Sequence, residues 1–423
     1  MGAGILFGIL FILLFLGVPI AICLGIAAAL TMALTGNTQY LAAVPTRMFT
    51  QLDNTTLMAV PFFILAGNIM AEGGISDRLI GFFELLLKRL PGRLACISVV
   101  ASGFFGAISG SNPATVAAIG GITAPRMIQK GYPPEKAAAI AASSGTLGVV
   151  IPPSIPMVTY AVTASVSIIS MFEAGWVPGI MLIVGLCIAN AIMCKKYDSV
   201  DTTKYPAKTY LIRFKDAFLA LLMPVIILGG IYGGIFTPTE SAAVACIYAL
   251  IVSCFVFREL NLKQLYKIFK DSCISSAVVL SVVGMSAPFA WFMTSENIPT
   301  MISTAVMSTF HNKFVILLAM NLLLLFLGCF LETQSIILLV TPILLPMATA
   351  LGVSPVALGL IIIVNTSIGM ITPPMAVNLF VATGICKTTV GAVSKKIIPY
   401  LLLEFGILLL YTYIPIVFNI PIG

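Results

Sequence analysis

The sequence predicts an all-α polytopic membrane protein, built as an inverted repeat with two re-entrant helical hairpins and two broken helices. Three observations carry this. The chain has 423 residues, 60% hydrophobic and 9% charged, against roughly 25% charged in a soluble protein, and its mean hydropathy is +1.11. A proline pair occurs twice in the same apolar setting, Gly148-Val149-Val150-Ile151-Pro152-Pro153 and Gly369-Met370-Ile371-Thr372-Pro373-Pro374, with Pro152 and Pro373 221 positions apart. Finally, 19 of the 22 Lys and Arg residues fall in five clusters between apolar segments, as cytoplasmic loops require.

Taken in order, Gly4–Leu16 and Val18–Thr35 read as two short helices joined at Gly17 and Pro19, or as one long tilted helix. Gly4–Leu16 has no basic flank and no small-residue cleavage site, so it reads as a mature helix and not as a removed signal. Thr56–Ala71 follows, then Ser76–Arg89, whose charges mix with Leu79, Phe82, Phe83 and Leu86 as in a helix lying at a membrane surface. Leu94–Arg126 is apolar but interrupted at Ser109–Pro113. Ala137–Ser170 is broken at the first proline pair, and Trp176–Cys194 is a full span. A charged loop, Lys195–Asp216, separates the halves. Ala217–Phe236, Ser241–Phe257, a basic amphipathic stretch Glu259–Lys270 and Ile274–Thr294 come next. Phe314–Ala350 is interrupted near Glu332, Val356–Ile385 is broken at the second proline pair, and Ile397–Phe418 closes the chain.

The 221-residue offset extends to Pro125/Pro346, Gly131/Gly352, Pro134/Pro355 and Pro178/Pro399. Basic residues flank the first interrupted segment on both sides (Lys88, Arg89 and Arg93 before it; Arg126, Lys130 and Lys136 after it), so it enters the membrane and turns back. The second has His311 and Lys313 before it and no charge after it until Lys387, so it should open on the other face. The N- and C-termini are then expected to be periplasmic.

A proline has no N–H, so the carbonyl four residues earlier loses its helical partner. Pro152 and Pro153 free the carbonyls of Gly148 and Val149; Pro373 and Pro374 free those of Gly369 and Met370. In lipid such an orphan costs several kcal/mol unless protein, water or an ion satisfies it. Matched breaks in two halves point to a transporter with ion sites near the bilayer middle. The first tip supplies Gly106, Ser109, Gly110, Ser111 and Asn112; packed on Gly148–Pro153 it could form an oxygen cage for Na⁺, or simply a small-residue packing face. Facing the second tip would be Asn365, Thr366 and Thr372. Glu332, an acid in an apolar run, is a functional candidate or a helix cap. Ser154 and Asn378, at half-helix N-termini, suit a substrate carboxylate or cap their own segments. The candidate substrate residues are therefore Ser111, Asn112, Ser154, Glu332, Thr333, Asn365, Thr366 and Asn378. Arg47, near Asp53, reads as an interfacial anchor or as a group that attracts an anion, Glu240 as a cap near Ser241, and Glu404 as an acid within the last span that pairs with a neighbouring helix or subunit the sequence does not name.

Other classes are excluded. There is no GxxxxGK[ST] phosphate loop, no HExxH and no GxSxG, and His311 is the only histidine. ATP hydrolysis by that route, His-based metal sites and His-dependent triads fall away, and no enzyme or nucleic-acid binder is expected. The nine cysteines are scattered singly, as apolar fillers.

Ala59–Gly67, Ser109-Gly110-Ser111, Ile151–Pro156, Phe236–Glu240, Leu339–Pro346 and Ile371–Pro374 together resemble the large membrane (M) subunit of tripartite ATP-independent periplasmic (TRAP) transporters, across essentially the whole chain. The resemblance implies an elevator-type, Na⁺-coupled importer of an organic-acid anion: a C4-dicarboxylate, a sialic acid or another sugar acid. It implies a small four-helix membrane subunit (Q type) and a soluble periplasmic substrate-binding protein as partners, in the bacterial inner membrane. A binding-protein-independent Na⁺/carboxylate symporter is the alternative. By motif similarity a first Na⁺ site falls on Gly106, Ser109, Gly148, Ile151 and Pro153, and a second on Gly328, Leu331, Gly369, Thr372 and Pro374. Many relatives carry Asp at the position of Glu332. The implied organisation is scaffold and surface arm over 1–93, first hairpin and broken helix over 94–172, scaffold, central loop and surface arm over 173–313, second hairpin and broken helix over 314–390, and a final span over 391–423.

Overall fold

The structure, a computed structural model, describes residues 2–198, 206–310, 312–373 and 376–418, with side chains through residue 414. His311 and Pro374 lie outside these. The described residues form helices joined by short turns, and no strand occurs among them. Among the described residues six helices are long and apolar enough to cross a membrane, or seven if the bent pair at the first proline break is one span.

The repeat runs through every element. Gly2–Phe15, Ile20–Leu34, the pair Ala43–Leu52 and Ala59–Glu72, and Ile75–Leu86 have counterparts in Ala207–Tyr232, Pro238–Val256, Leu262–Ser295 and Ile298–Thr309. In each half a hairpin, a broken helix and a long span follow, the spans being Ile168–Met193 and Val390–Phe418. The first two helices are separate: Gly17 turns at φ +76° and they pack against each other, bringing Gly2 back to Thr35.

Two expectations are corrected. Glu259–Lys270 is not a separate surface arm. It opens the 34-residue helix Leu262–Ser295, started by a capping box in which Asn261 and Gln264 each bond the other's backbone N–H. The second-half counterpart of the arm Ile75–Leu86 is instead Ile298–Thr309. The central loop is also shorter than expected, because Ala207–Tyr232 begins ten residues before Ala217.

The first hairpin climbs along Arg93–Ser109, turns at Gly110 (φ +58°) and Ser111, and returns through Asn112–Thr115, a π-turn at Val116–Gly120 and Gly121–Gln129. The second climbs along Lys313–Gly328 and returns along Thr333–Ala350. The first broken helix is Pro134–Val150, then Ile155–Ala164 after a 42° bend. The second is Pro355–Gly369 and Val377–Cys386.

Contacts between the two broken helices fix their direction. Asn378 Nδ2 donates to Ala142 O at 3.4 Å, Ser367 Oγ to Thr146 O at 2.7 Å, and Tyr160 OH to Pro355 O at 2.6 Å. As one number rises the other falls, so the helices run antiparallel. Each hairpin adjoins the start of its own broken helix, so the hairpins enter from opposite faces. Thr146 and Ser367 are themselves 221 positions apart, which puts their hydrogen bond at the pseudo-twofold axis. Each second half-helix packs on the other repeat's return arm, Ile155–Ala164 on Thr333–Ala350 and Val377–Cys386 on Gly121–Gln129.

Candidate functional site

Each hairpin is held against its own break by glycine. A Cβ on Gly106 would sit 2.7 Å from Leu147 O and 2.9 Å from Gly148 Cα; one on Gly148 would meet Ser111 O at 2.5 Å and Thr115 Oγ1 at 2.6 Å. In the second repeat a Cβ on Gly328 would lie 3.0 Å from Gly369 Cα and 3.1 Å from Thr366 O. Only glycine lets the backbones approach this closely.

At the first tip, Ser109 Oγ lies 3.0 Å from Thr115 Oγ1, and Thr115 Oγ1 donates to Ser111 O at 2.8 Å. These oxygens stand beside Gly148, so Gly106, Ser109 and Gly148 come together, with Ile151 and Pro153 at the end of the same break. Ile151 N bonds Leu147 O at 3.1 Å. Neither the Gly148 nor the Val149 carbonyl receives a hydrogen bond from outside the helices among the described residues.

The second break differs. Gly328, Gly369 and Thr372 also come together. However, Gly369 O accepts from Thr372 N at 2.9 Å, and Met370 O from Asn378 N at 3.1 Å. The carbonyls that Pro373 and Pro374 deprive of helical partners are thus re-paired. Thr372 Oγ1 bonds back to Ile368 O, and Leu331 N bonds Leu327 O. The expected ligand Pro374 lies outside the described residues.

Between the two tips lies a cleft of about 350 Å³. Ser109–Ala114 and Glu332–Gln334 form two sides, Val149, Ile155, Pro156 and Met370 the floor. Asn68 of Ala59–Glu72 and Ser275 of Leu262–Ser295 stand on the scaffold wall. Among the described residues no Lys or Arg lines it, and Glu332 is the one carboxylate. The helix segments starting at Asn112, Ile155 and Thr333 all present N-termini to it. Orphan N–H groups and the helix dipole make such ends favourable to anions.

Of the predicted substrate residues, Ser111, Asn112, Glu332 and Thr333 line this cleft. Asn112 is fully buried, and its amide is committed to protein: Oδ1 accepts from Val149 N at 3.0 Å, and Nδ2 donates to Ser367 Oγ at 2.7 Å. It clamps the tip to both breaks. Glu332 is exposed to the cleft and makes no capping bond, so the capping reading is set aside.

The other four are not on the wall. Ser154 caps Ile155–Ala164 through Met157 N. Asn365 Nδ2 bonds Asn321 Oδ1 at 2.6 Å, Thr366 bonds back to Ile362 O, and Asn378 reaches Ala142 O. Ser154 and Thr366 thus bond within their own helices, while Asn365 and Asn378 reach across to other helices through Nδ2. Gln334, with a buried Oε1 that has no partner among the described residues, and Asn68, bonded to Ser272 Oγ at 2.9 Å, carry no sequence-based expectation. Asn68 is the one polar side chain before Glu72 in an otherwise apolar helix, a signal the sequence did offer.

Glu240 closes a capping box with Thr237 on a helix starting at Pro238, and Arg47 stacks over Trp291 at 5.0 Å. Glu404 is fully buried away from the cleft.

The chain matches over residues 7–417 the family described as tripartite ATP-independent periplasmic transporter, DctM component. It is 44% identical over 368 residues to the isethionate TRAP transporter permease protein DctMQ of Oleidesulfovibrio alaskensis, covering 87% of this chain and 58% of that longer protein. It is 39% identical to the C4-dicarboxylate TRAP transporter large permease protein DctM of Pseudomonas aeruginosa (88% and 87% covered) and 36% identical to the sialic acid TRAP transporter large permease protein SiaM of Vibrio cholerae (87% and 86% covered). Among solved structures, the YdaH transporter of Alcanivorax borkumensis shares the fold, with a TM-score of 0.65 at 16% identity over 91% of this chain and 90% of that one. Two inverted hairpins meeting at one cleft, in a chain this similar to TRAP large permeases, make it a multi-pass membrane protein and a member of the DctM family of tripartite ATP-independent periplasmic transporters.

Proposed function

We propose that the chain is the permease subunit of a Na⁺-coupled, binding-protein-dependent secondary active importer of a small organic-acid anion. The class includes the C4-dicarboxylates and sialic acid of its named relatives, isethionate, and other sugar acids. The observation that carries this is the cleft between the hairpin tips: helix N-termini converge there, no cationic side chain among the described residues lines the wall, and a cradle of carbonyl and hydroxyl oxygens adjoins it.

Helix N-termini hold an anion with about 0.3–1 kcal/mol each, too little against the nearby Glu332 carboxylate. A Na⁺ in the Gly106, Ser109 and Gly148 cradle supplies the missing attraction. At ~5 Å and an effective dielectric constant of about 20, one cation contributes on the order of 3 kcal/mol. Coupling of that size is reciprocal: the anion tightens Na⁺ as much as Na⁺ tightens the anion. The hairpins and broken helices move as one body against the remaining helices, an elevator-type motion. Partners are a small four-helix membrane subunit and a soluble periplasmic binding protein, in the bacterial inner membrane with both termini periplasmic.

Uptake into proteoliposomes tests this, with the chain and its membrane partner reconstituted and the loaded binding protein outside. Uptake that requires both an inward Na⁺ gradient and the binding protein is expected. Uptake indifferent to Na⁺ overturns the coupling; full uptake without the soluble protein instead establishes a binding-protein-independent Na⁺/carboxylate symporter.

A further inference from the structure

We propose that the base of the first hairpin carries a binding site for the headgroup of an anionic phospholipid. A second cleft, of about 390 Å³, lies where the arm Ile75–Leu86, both ends of the first hairpin and the start of Ala207–Tyr232 meet. Arg93, Arg126, Lys130 and Arg213 line it, with Glu84 as the one carboxylate on its wall among the described residues. Arg126 is fixed by Glu84 at 2.8 Å and Asp77 at 3.4 Å, and Arg93 stands 3.8 Å from Asp198. A guanidinium has five N–H donors, so its two acid contacts orient Arg126 and leave donors for a phosphate. Lys130 and Arg213 are exposed. Arg213 also borders an adjoining hollow with Asp77, Asp216 and Glu259.

Next to this cleft the structure offers a path for acyl chains. Ala207–Tyr232 becomes uncharged past Asp216 and exposes Leu211, Phe214 and Phe218 along this stretch. Phe214 packs on Phe82 of the arm at 5.9 Å between ring centroids and on Phe218 at 5.7 Å. A free phosphate would use the cations alone. A phospholipid uses the cations and the apolar flank together, at the boundary between hairpin and scaffold.

The test uses the full chain purified in mild detergent, its thermal unfolding followed with added phosphatidylglycerol, cardiolipin or phosphatidylcholine. The two anionic lipids are expected to raise the midpoint, and phosphatidylcholine is not. Lys130→Gln with Arg213→Gln should weaken the apparent lipid affinity roughly 30-fold, about fivefold per basic side chain at an anionic surface, with the lipid-free midpoint kept. If that variant does not fold, Thr209→Glu, which sets a carboxylate on the same wall, should abolish the lipid response. An equal response in wild type and variant overturns the proposal. So does the same stabilisation by inorganic phosphate, or loss of the response when the co-expressed membrane partner is bound.

Discussion

Asn112 is the most informative residue to change, because two roles for it predict different measurements. It lines the cleft, which suggests a substrate ligand. Its side chain is nonetheless fully buried, with Oδ1 on Val149 N and Nδ2 on Ser367 Oγ, 255 residues away. Asn112→Ala removes an acceptor from one buried backbone N–H and a donor from one buried hydroxyl. A buried group left unsatisfied costs about 1–3 kcal/mol, so losing both contacts should destabilise by roughly 2–5 kcal/mol. Ser367→Ala removes only one of them. A double-mutant cycle on Asn112 and Ser367, read by thermal or denaturant unfolding in detergent, should give a coupling energy of about 0.5–3 kcal/mol. Na⁺-dependent stabilisation should shrink in both single variants, since the clamp positions the tip over Gly148. If Asn112→Ala leaves the unfolding midpoint alone and raises only the KM for substrate, the clamp is wrong and Asn112 is a ligand.

Gly369→Ala should destabilise by about 1–3 kcal/mol through overpacking, because its Cβ would meet the Gly328 backbone, which has no flexible end to move aside; an unchanged midpoint would show that the second hairpin is not seated as described. Glu332→Gln should lower Na⁺-coupled uptake without altering unfolding, as the side chain faces the cleft and caps nothing; wild-type uptake would remove this carboxylate from the site.

The breaks and hairpin tips were legible because proline and glycine act locally. A missing N–H or a positive φ constrains the chain whatever packs around it. Arms and partners were less legible. Ile298–Thr309 carries no Lys or Arg, so it did not look like the charged arm of the first half, while Glu259–Lys270 did. Nothing between Lys270 and Ile274 breaks a helix, and the chain runs on without interruption. Gly17-Val18-Pro19 fits a kink and a turn equally well; packing between the two helices it joins decides the matter. Asn365, Thr366 and Asn378 are polar groups in apolar runs, which suggested ligands. Thr366 bonds back within its own helix, and the partners of Asn365 and Asn378, Asn321 and Ala142, lie on other helices that no local pattern points to.

The two breaks share their sequence pattern but not the fate of their carbonyls, and this asymmetry has a measurable consequence. At the second, Thr372 N and Asn378 N take over Gly369 O and Met370 O. At the first, Pro152 and Pro153 leave Gly148 O and Val149 O without a backbone donor among the described residues, beside the Ser109 and Thr115 hydroxyls. A carbonyl that already accepts one bond gains less from a cation than one that accepts none, because more of its desolvation is already offset. Na⁺ should therefore bind the first break more tightly than the second, with the first site filling at lower concentration. Pro152→Ala with Pro153→Ala restores two N–H donors and should remove the high-affinity phase of a Na⁺ titration, followed by unfolding or tryptophan fluorescence, along with coupled uptake. Thr372→Ala should alter only the weaker phase. Loss of the weaker phase alone in the proline variant would invert the order, and the carbonyl argument would fail with it.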